Sequence, residues 1–72
     1  MDRETILREL ARLEDRVART ERQMVSYRET ISRIEQRGQD AKWAKLMLRQ
    51  CEETVALHVS VHNRLLQQLQ EA

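Results

Sequence analysis

Apolar residues recur along the first half of the chain at spacings that alternate between four and three. Only Thr20 interrupts the apolar run. This alternation is typical of a coiled-coil seam, in which one stripe of a helix packs against a partner. It predicts one long helix over roughly residues 3–37. Its seam consists of Ile6, Leu10, Leu13, Val17, Thr20, Met24, Tyr27, Ile31 and Ile34.

The segment RGQD, residues 37–40, predicts a tight turn after this helix. Gly38 is the only glycine, and the chain contains no proline. Glycine suits the left-handed residue after a helix end, Arg37 suits the negative end of the helix dipole, and Asp40 suits the N-cap of the next helix. A link this short makes the helices antiparallel. The sequence therefore predicts an all-α antiparallel αα-hairpin as a single domain over 1–72, with its turn at 38–40 and a second helix over about 41–70.

The second helix carries a matching seam, which consists of Ala41, Ala44, Leu48, Cys51, Val55, His58, His62, Leu65 and Leu69. Antiparallel packing pairs the two seams layer by layer. Near the turn, Ile31 then meets Ala44, and at the open end Ile6 meets Leu69. Between them we expect the layers Tyr27–Leu48, Met24–Cys51, Thr20–Val55, Val17–His58, Leu13–His62 and Leu10–Leu65.

The second helix is apolar over more than one stripe. Trp43, Met47, Leu57 and Val61 form an outer stripe beside its seam, and Val59 and Leu66 flank the other side. An arc this wide indicates contact with more than one neighbour. The first helix adds apolar or small residues next to its own seam, namely Leu7, Ala11, Ala18 and Val25.

A lone hairpin falls short of the burial that a stable fold needs. Ordering 72 residues costs on the order of 100 kcal/mol, which about 4,000 Å² of apolar burial would offset. The sequence therefore predicts self-association, most simply a homodimer of two hairpins in a coiled-coil-like four-helix bundle. Another protein that covers the same stripe is the competing outcome. The predicted interface residues are Leu48, Cys51, Val55, His58, His62, Leu65 and Leu69 of the seam together with Trp43, Met47, Leu57 and Val61.

Composition excludes several classes of protein. The 13 basic residues nearly match the 12 acidic ones, so net charge gives no bulk attraction to nucleic acid or anionic membranes. No run of 18 apolar residues predicts a membrane span, and the N-terminus lacks an apolar signal core. A single cysteine forms no intramolecular disulfide. We expect a cytoplasmic protein with no cofactor, no membrane partner and no small-molecule substrate.

His58 and His62 are the candidate metal ligands, because imidazoles four residues apart on a helix can share one ion. Zinc needs further ligands, however, and Cys51 lies about 10 Å along the axis from His58. The facing residues Leu13 and Val17 are not ligands. We therefore predict no metal site and interpret the pair as interface histidines, whose protonation in acid would loosen the bundle.

No enzymatic constellation is present in the sequence. Cys51 lacks a base within reach, since His58 is two turns away, and is interpreted as a small buried hydrophobe. Met24 and Met47 are interpreted as gap fillers. Because no glycine-rich phosphate loop, paired-carboxylate cleft or nucleophile triad appears, we predict that the protein is not an enzyme.

Arginines on the far face of the first helix are the alternative functional signal, because such a stripe can meet phosphates. They are Arg8, Arg12, Arg19, Arg22 and Arg33. Glu4, Asp15 and Glu29 each stand four residues before an arginine, which predicts local ion pairs. No aromatic residue lies among them to stack on bases. A solvated charged face is favoured over nucleic-acid binding.

Trp43 is the candidate partner contact, because tryptophan is enriched at binding hot spots. Its position in the first turn of the second helix also suits closure of the bundle end near the turn.

The run from Glu21 to Leu65 resembles a group of short uncharacterised helical-hairpin proteins of rhizobia and related alphaproteobacteria. The resemblance covers about two thirds of the chain, departs at Tyr27, where the group often has glutamine, and implies a helical hairpin without a known activity. A weaker likeness, in the turn RGQDAK, is to the small needle-chaperone subunits of type III secretion, which implies a different protein as partner. The first resemblance is carried by Glu21, Arg28, Glu29, Ile31, Ile34, Glu35, Gly38, Asp40, Ala44, Leu48, Glu52, Leu57, His58, Arg64 and Leu65.

Overall fold

The computed structural model describes residues 2–71 and contains two helices. Helix α1 spans Arg3–Gln36, and helix α2 spans Lys42–Glu71. They pack side by side and antiparallel, so the predicted all-α hairpin is confirmed. The molecule is a rod of 55 × 14 × 13 Å.

Helix α1 is closed at both ends by hydrogen bonds from its own chain. The Asp2 carboxylate accepts a hydrogen bond of 2.7 Å from the Thr5 amide, which satisfies one of the N-terminal donors that a helix leaves free. At the other end Arg37 is the C-cap, with φ −84° and ψ 2°. The helix therefore ends at Gln36, one residue before the predicted limit.

The turn after α1 depends on Gly38. Its φ is +74°, the left-handed conformation that glycine adopts without steric cost. The Gly38 amide donates to the Glu35 carbonyl at 2.9 Å, and the Gln39 amide donates to the Ile34 carbonyl at 3.1 Å. These two bonds define a Schellman motif, which satisfies the last carbonyls of α1 and reverses the chain.

Asp40 lies just before the start of α2. Its carboxylate accepts a hydrogen bond of 3.0 Å from the Lys42 amide. The first intrahelical bond runs from the Lys45 amide to the Ala41 carbonyl at 2.9 Å. The helix thus begins at Lys42, one residue after the predicted start. Ala41, whose carbonyl receives this bond, is the N-cap, so the prediction of Asp40 as the N-cap is wrong by one residue.

The seams carry the contact between the helices. Every predicted seam residue is buried or half-buried. At the open end Ile6, Leu10, Leu13 and Leu65 form a core, against which Val61 and Leu69 pack. This cluster contains both members of the layers Ile6–Leu69 and Leu10–Leu65, as antiparallel packing requires. The individual layer pairs stay predictions.

Near the turn, small and charged residues hold the helices together. Ala41 and Ala44 are buried, and Ala44 retains only 1% of its exposure. Small side chains here let the backbones approach closely where the turn joins them. Outside them, Lys45 Nζ lies 2.8 Å from Glu35 Oε2, an ion pair across the turn.

The hairpin exposes more surface than a compact chain of its mass. A compact protein of 8.6 kDa exposes ~4,700 Å², whereas this chain exposes 5648 Å². The difference in exposed surface arises because two long helices packed side by side share only one interface. Neither helix within residues 2–71 holds an apolar stretch long enough to cross a bilayer.

Substitution of Gly38 tests the turn. We expect Gly38→Ala to lower the free energy of unfolding by about 1 kcal/mol, because alanine disfavours a positive φ. A Cβ at this position would meet nothing within 4 Å, so the loss is conformational rather than steric. Urea unfolding followed by circular dichroism measures it. Gly38→Asn is the control and should lose less, since asparagine tolerates this conformation; equal stability of Gly38→Ala and wild type would contradict the turn.

Acid titration tests the carboxylates of α1. The hydrogen bond from Arg19 lowers the pKa of Asp15, and those from Thr5 lower the pKa of Asp2, below the usual 3.8. A lowered carboxylate pKa gives stability that is present above pH 3.8 and lost as the pH falls below it. We expect the melting temperature of Asp15→Asn to lie below that of wild type at pH 7 and to converge with it as the pH falls through the lowered pKa of Asp15. A pH-independent difference would contradict the ion pair as its cause.

Candidate functional site

The outer stripe of α2 contains the two most exposed large apolar residues among residues 2–71. Trp43 is 65% exposed and Leu57 is 63% exposed. Met47 and Val61 lie nearer the seam and are half-buried. Exposed apolar residues are ordinary when scattered singly, whereas several that share one side of a helix favour an interaction surface. The stripe runs about 27 Å along the helix from Trp43 to Val61.

Trp43 is anchored at one edge. Its ring lies 6.3 Å from that of Tyr27, centroid to centroid, at an interplanar angle of 76°. This edge-to-face contact is a favoured aromatic geometry. Tyr27 therefore fixes the indole near the turn while most of its surface stays open, so Trp43 both covers the end of the seam and remains available to a partner.

The opposite side of the hairpin is mixed in character. Leu7, Val59 and Leu66 are partly exposed there, between 38% and 45%. His62 Nε2 lies 3.5 Å from Glu14 Oε2, and these two residues line a shallow open depression with Val17 and Val59. Charged groups interrupt this face, whereas uncharged polar residues, Gln50 and Thr54, separate the two halves of the outer stripe.

The predicted histidine pair does not assemble a metal centre in the described part of the chain. No three His, Cys, Asp or Glu side chains within residues 2–71 come together in a way that would hold an ion. His62 is directed to Glu14, while His58 Nδ1 is buried and has no hydrogen-bond partner among the described residues. Cys51 is a half-buried free thiol.

The arginine face of α1 is partly neutralised by local pairs. Arg19 pairs with Asp15, as predicted. The Glu4–Arg8 and Glu29–Arg33 pairs do not form among residues 2–71. Arg12 pairs with Glu9 at 3.3 Å, and Arg33 donates to the Thr30 hydroxyl at 3.4 Å. Exposed arginine side chains pair with any acceptor that lies three or four residues away on the helix.

Two residues were missed by the sequence reasoning. Leu46 is 52% exposed and lies in a shallow depression with Lys42, Lys45 and Arg49; its position three residues after Trp43 was the available signal. Glu14 directly follows Leu13 of the seam, and residues beside a seam reach across to the partner helix. That placement explains its contact with His62.

Comparisons with known proteins add no relative. No protein-family model matches the chain, and no curated protein and no solved structure matches it. The resemblances to rhizobial hairpin proteins and to needle chaperones therefore stay predictions. The case for function rests on the surface itself.

A zinc titration tests the histidine pair. We expect saturating zinc to leave the melting temperature unchanged, because two imidazoles without further ligands hold zinc weakly. Thermal unfolding by circular dichroism, with and without zinc, measures this. A rise in melting temperature that His58→Ala abolishes would establish a metal site instead.

Proposed function

We propose that this chain is a small protein-interaction module that self-associates through the outer stripe. Two hairpins form a homodimer, an antiparallel four-helix bundle in which α2 of each copy lies at the centre. The observation that carries the proposal is the exposure of Trp43 and Leu57, almost two thirds each, on the same side of α2.

The energetics of the hairpin support association. The exposed surface exceeds that of a compact chain by roughly 1,000 Å², close to the ~800 Å² that each partner buries in a typical stable interface. Covering Trp43 and Leu57 supplies the apolar burial that a single helix–helix contact lacks. Tryptophan is among the residues that most often anchor such interfaces.

A binding role fits this surface better than a catalytic one. The two depressions on the hairpin are shallow and open, and each is lined by only four residues. Enzymes and small-molecule binders use concave sites that enclose most of a ligand. A flat apolar stripe on a long helix instead suits another helix, which packs along its length.

The alternative occupant is a different protein, which would make the hairpin an adaptor or chaperone subunit. It would use the same stripe, so the two proposals differ only in what covers it. The oligomeric state of the purified chain separates them: a monomer that fails to associate at high concentration favours the hetero-partner. Nucleic-acid binding through the α1 arginines has less support, because Arg12 and Arg19 are already paired with carboxylates.

Leu57→Lys tests the stripe directly. It places two charges in each dimer where two leucines were buried, and each leucine contributes about 1.5–3 kcal/mol. We therefore expect the dimer dissociation constant to rise at least ~100-fold. Sedimentation equilibrium measures it. Ser60→Lys is the matched control: it adds the same charge three residues away, at an exposed position outside the stripe, and should leave the constant unchanged.

The proposal fails if the two lysine variants behave alike. Equal dissociation constants would show that any dimer uses another face. Helix content should be compared at the same time, so that dissociation is separated from unfolding of the hairpin.

A further inference from the structure

The side of α2 that bears the outer stripe follows a pattern that reads the same in both directions. The spacings along it are three, four, three, four, three, four and three. An antiparallel copy presents its residues in the reverse order. Because the spacings are unchanged by reversal, each residue of the face lies opposite a residue of the second copy. The pattern consists of Trp43, Met47, Gln50, Thr54, Leu57, Val61 and Arg64 in α2, preceded by Asp40, which lies two residues before the helix begins at Lys42.

The chemistry of this pattern is symmetric as well. When two copies pair about a point midway between Gln50 and Thr54, each residue lies opposite one of similar polarity or of opposite charge. Apolar residues face apolar ones, the central amide faces a hydroxyl, and the terminal carboxylate faces a guanidinium. The layers are Trp43–Val61, Met47–Leu57, Gln50–Thr54 and Asp40–Arg64, each occurring twice.

We infer that the partner of the outer stripe is the outer stripe of a second copy, antiparallel, in this one register. The inference rests on the proposed self-association and specifies its geometry. The two-fold axis passes beside α2 at the level of Glu52. The apolar part of the contact spans about 27 Å, from Trp43 to Val61.

Other registers of the same two faces mismatch. Sliding one helix by seven residues, the next shift that keeps the layers filled, places Trp43 opposite Gln68 and Met47 opposite Arg64. Sliding it the other way places Trp43 opposite Thr54 and Met47 opposite Gln50. Either shift leaves apolar residues against polar ones, so burial selects the register centred between Gln50 and Thr54.

The terminal charges select the same register. Asp40 accepts a hydrogen bond from the Lys42 amide at its Oδ1, and the carboxylate retains acceptor capacity at its other oxygen. Arg64 is exposed and makes no ion pair among residues 2–71. An exposed Asp40–Arg64 pair adds little affinity, but it penalises registers that separate the charges.

The other helix of the hairpin is a poor occupant. The α1 residues that border its seam on the side of the outer stripe are Glu9, Arg16, Gln23 and Thr30, none of which is an apolar residue. An α1 laid on the partner's outer stripe would bury charge against Trp43 and Leu57. The favoured contact therefore joins α2 to α2.

Cysteine cross-linking tests the register. In a Cys51→Ser background, Met47→Cys and Leu57→Cys chains are mixed, refolded together from denaturant and oxidised. We expect covalent dimers in the mixture and few in either chain alone. In the inferred register the two Met47 positions are offset by about 15 Å along the axis, as are the two Leu57 positions, beyond the ~7 Å reach of a disulfide.

Each other cross-linking result overturns the inference in a specific way. Dimers of Met47→Cys alone would indicate parallel helices. Dimers from Met47→Cys mixed with Arg64→Cys, but not with Leu57→Cys, would indicate the register slid by seven residues. If Leu57→Lys dissociates the dimer and the Met47–Leu57 cross-link is still absent, the proposed function survives and the register is wrong; if no variant chain dimerises and wild type is monomeric, both fail.

A charge substitution gives a second test that needs no cysteine. Arg64→Glu brings two carboxylates together at each end of the contact, so we expect the dissociation constant to rise roughly fivefold or more at low salt and the effect to shrink at high salt. Gln68→Glu adds the same side chain one turn further on, beyond the end of the paired pattern, and should have little effect. Equal effects of the two variants would overturn the register.

Discussion

The packing of one seam on the other is the contact from which the rest of the structure follows. An apolar stripe with alternating spacings of four and three stabilises a helix only if another helix covers it. The Schellman turn at Gly38 supplies that second helix from the same chain and sets its direction. The open-end core around Ile6 and Leu65 then holds the register some 45 Å from the turn, at 1.5 Å per residue.

The same arrangement limits how much the hairpin can bury. Two straight helices touch along a single line, so the residues beside each seam stay exposed. In α1 most of those residues are charged, and water satisfies them. In α2 four of them form the apolar outer stripe, and the 65% exposure of Trp43 shows how little of it the hairpin itself covers. The asymmetry between the helices is what points to a further helix packing on α2.

The seam, the turn and the approximate helix ends were predictable from the sequence because each depends on local spacing or local backbone chemistry. Gly38 and Asp40 act through their own backbone neighbours, and a regular spacing fixes which face of a helix is apolar. The contact of Glu14 with His62 was missed because it depends on which side of the seam each residue borders. The ion pairs of Glu4 and Glu29 were wrong because exposed side chains have several acceptors of similar energy within one turn. The seven-residue pattern defines which face of α2 is apolar. It does not define which second molecule packs on that face.

The fluorescence of Trp43 during dilution, measured together with mass by light scattering, reports whether the outer stripe is buried between two copies. Trp43 is the only tryptophan, so the emission reports this one site. Self-association through the outer stripe predicts a species of twice the 8.6 kDa chain mass at high concentration. It also predicts that Trp43 emission shifts to longer wavelength over the same dilution range in which the mass halves, because the indole returns to water. A mass that stays at that of one chain, or a dimer whose dissociation leaves the emission unchanged, would contradict the claim that the outer stripe is the self-association surface.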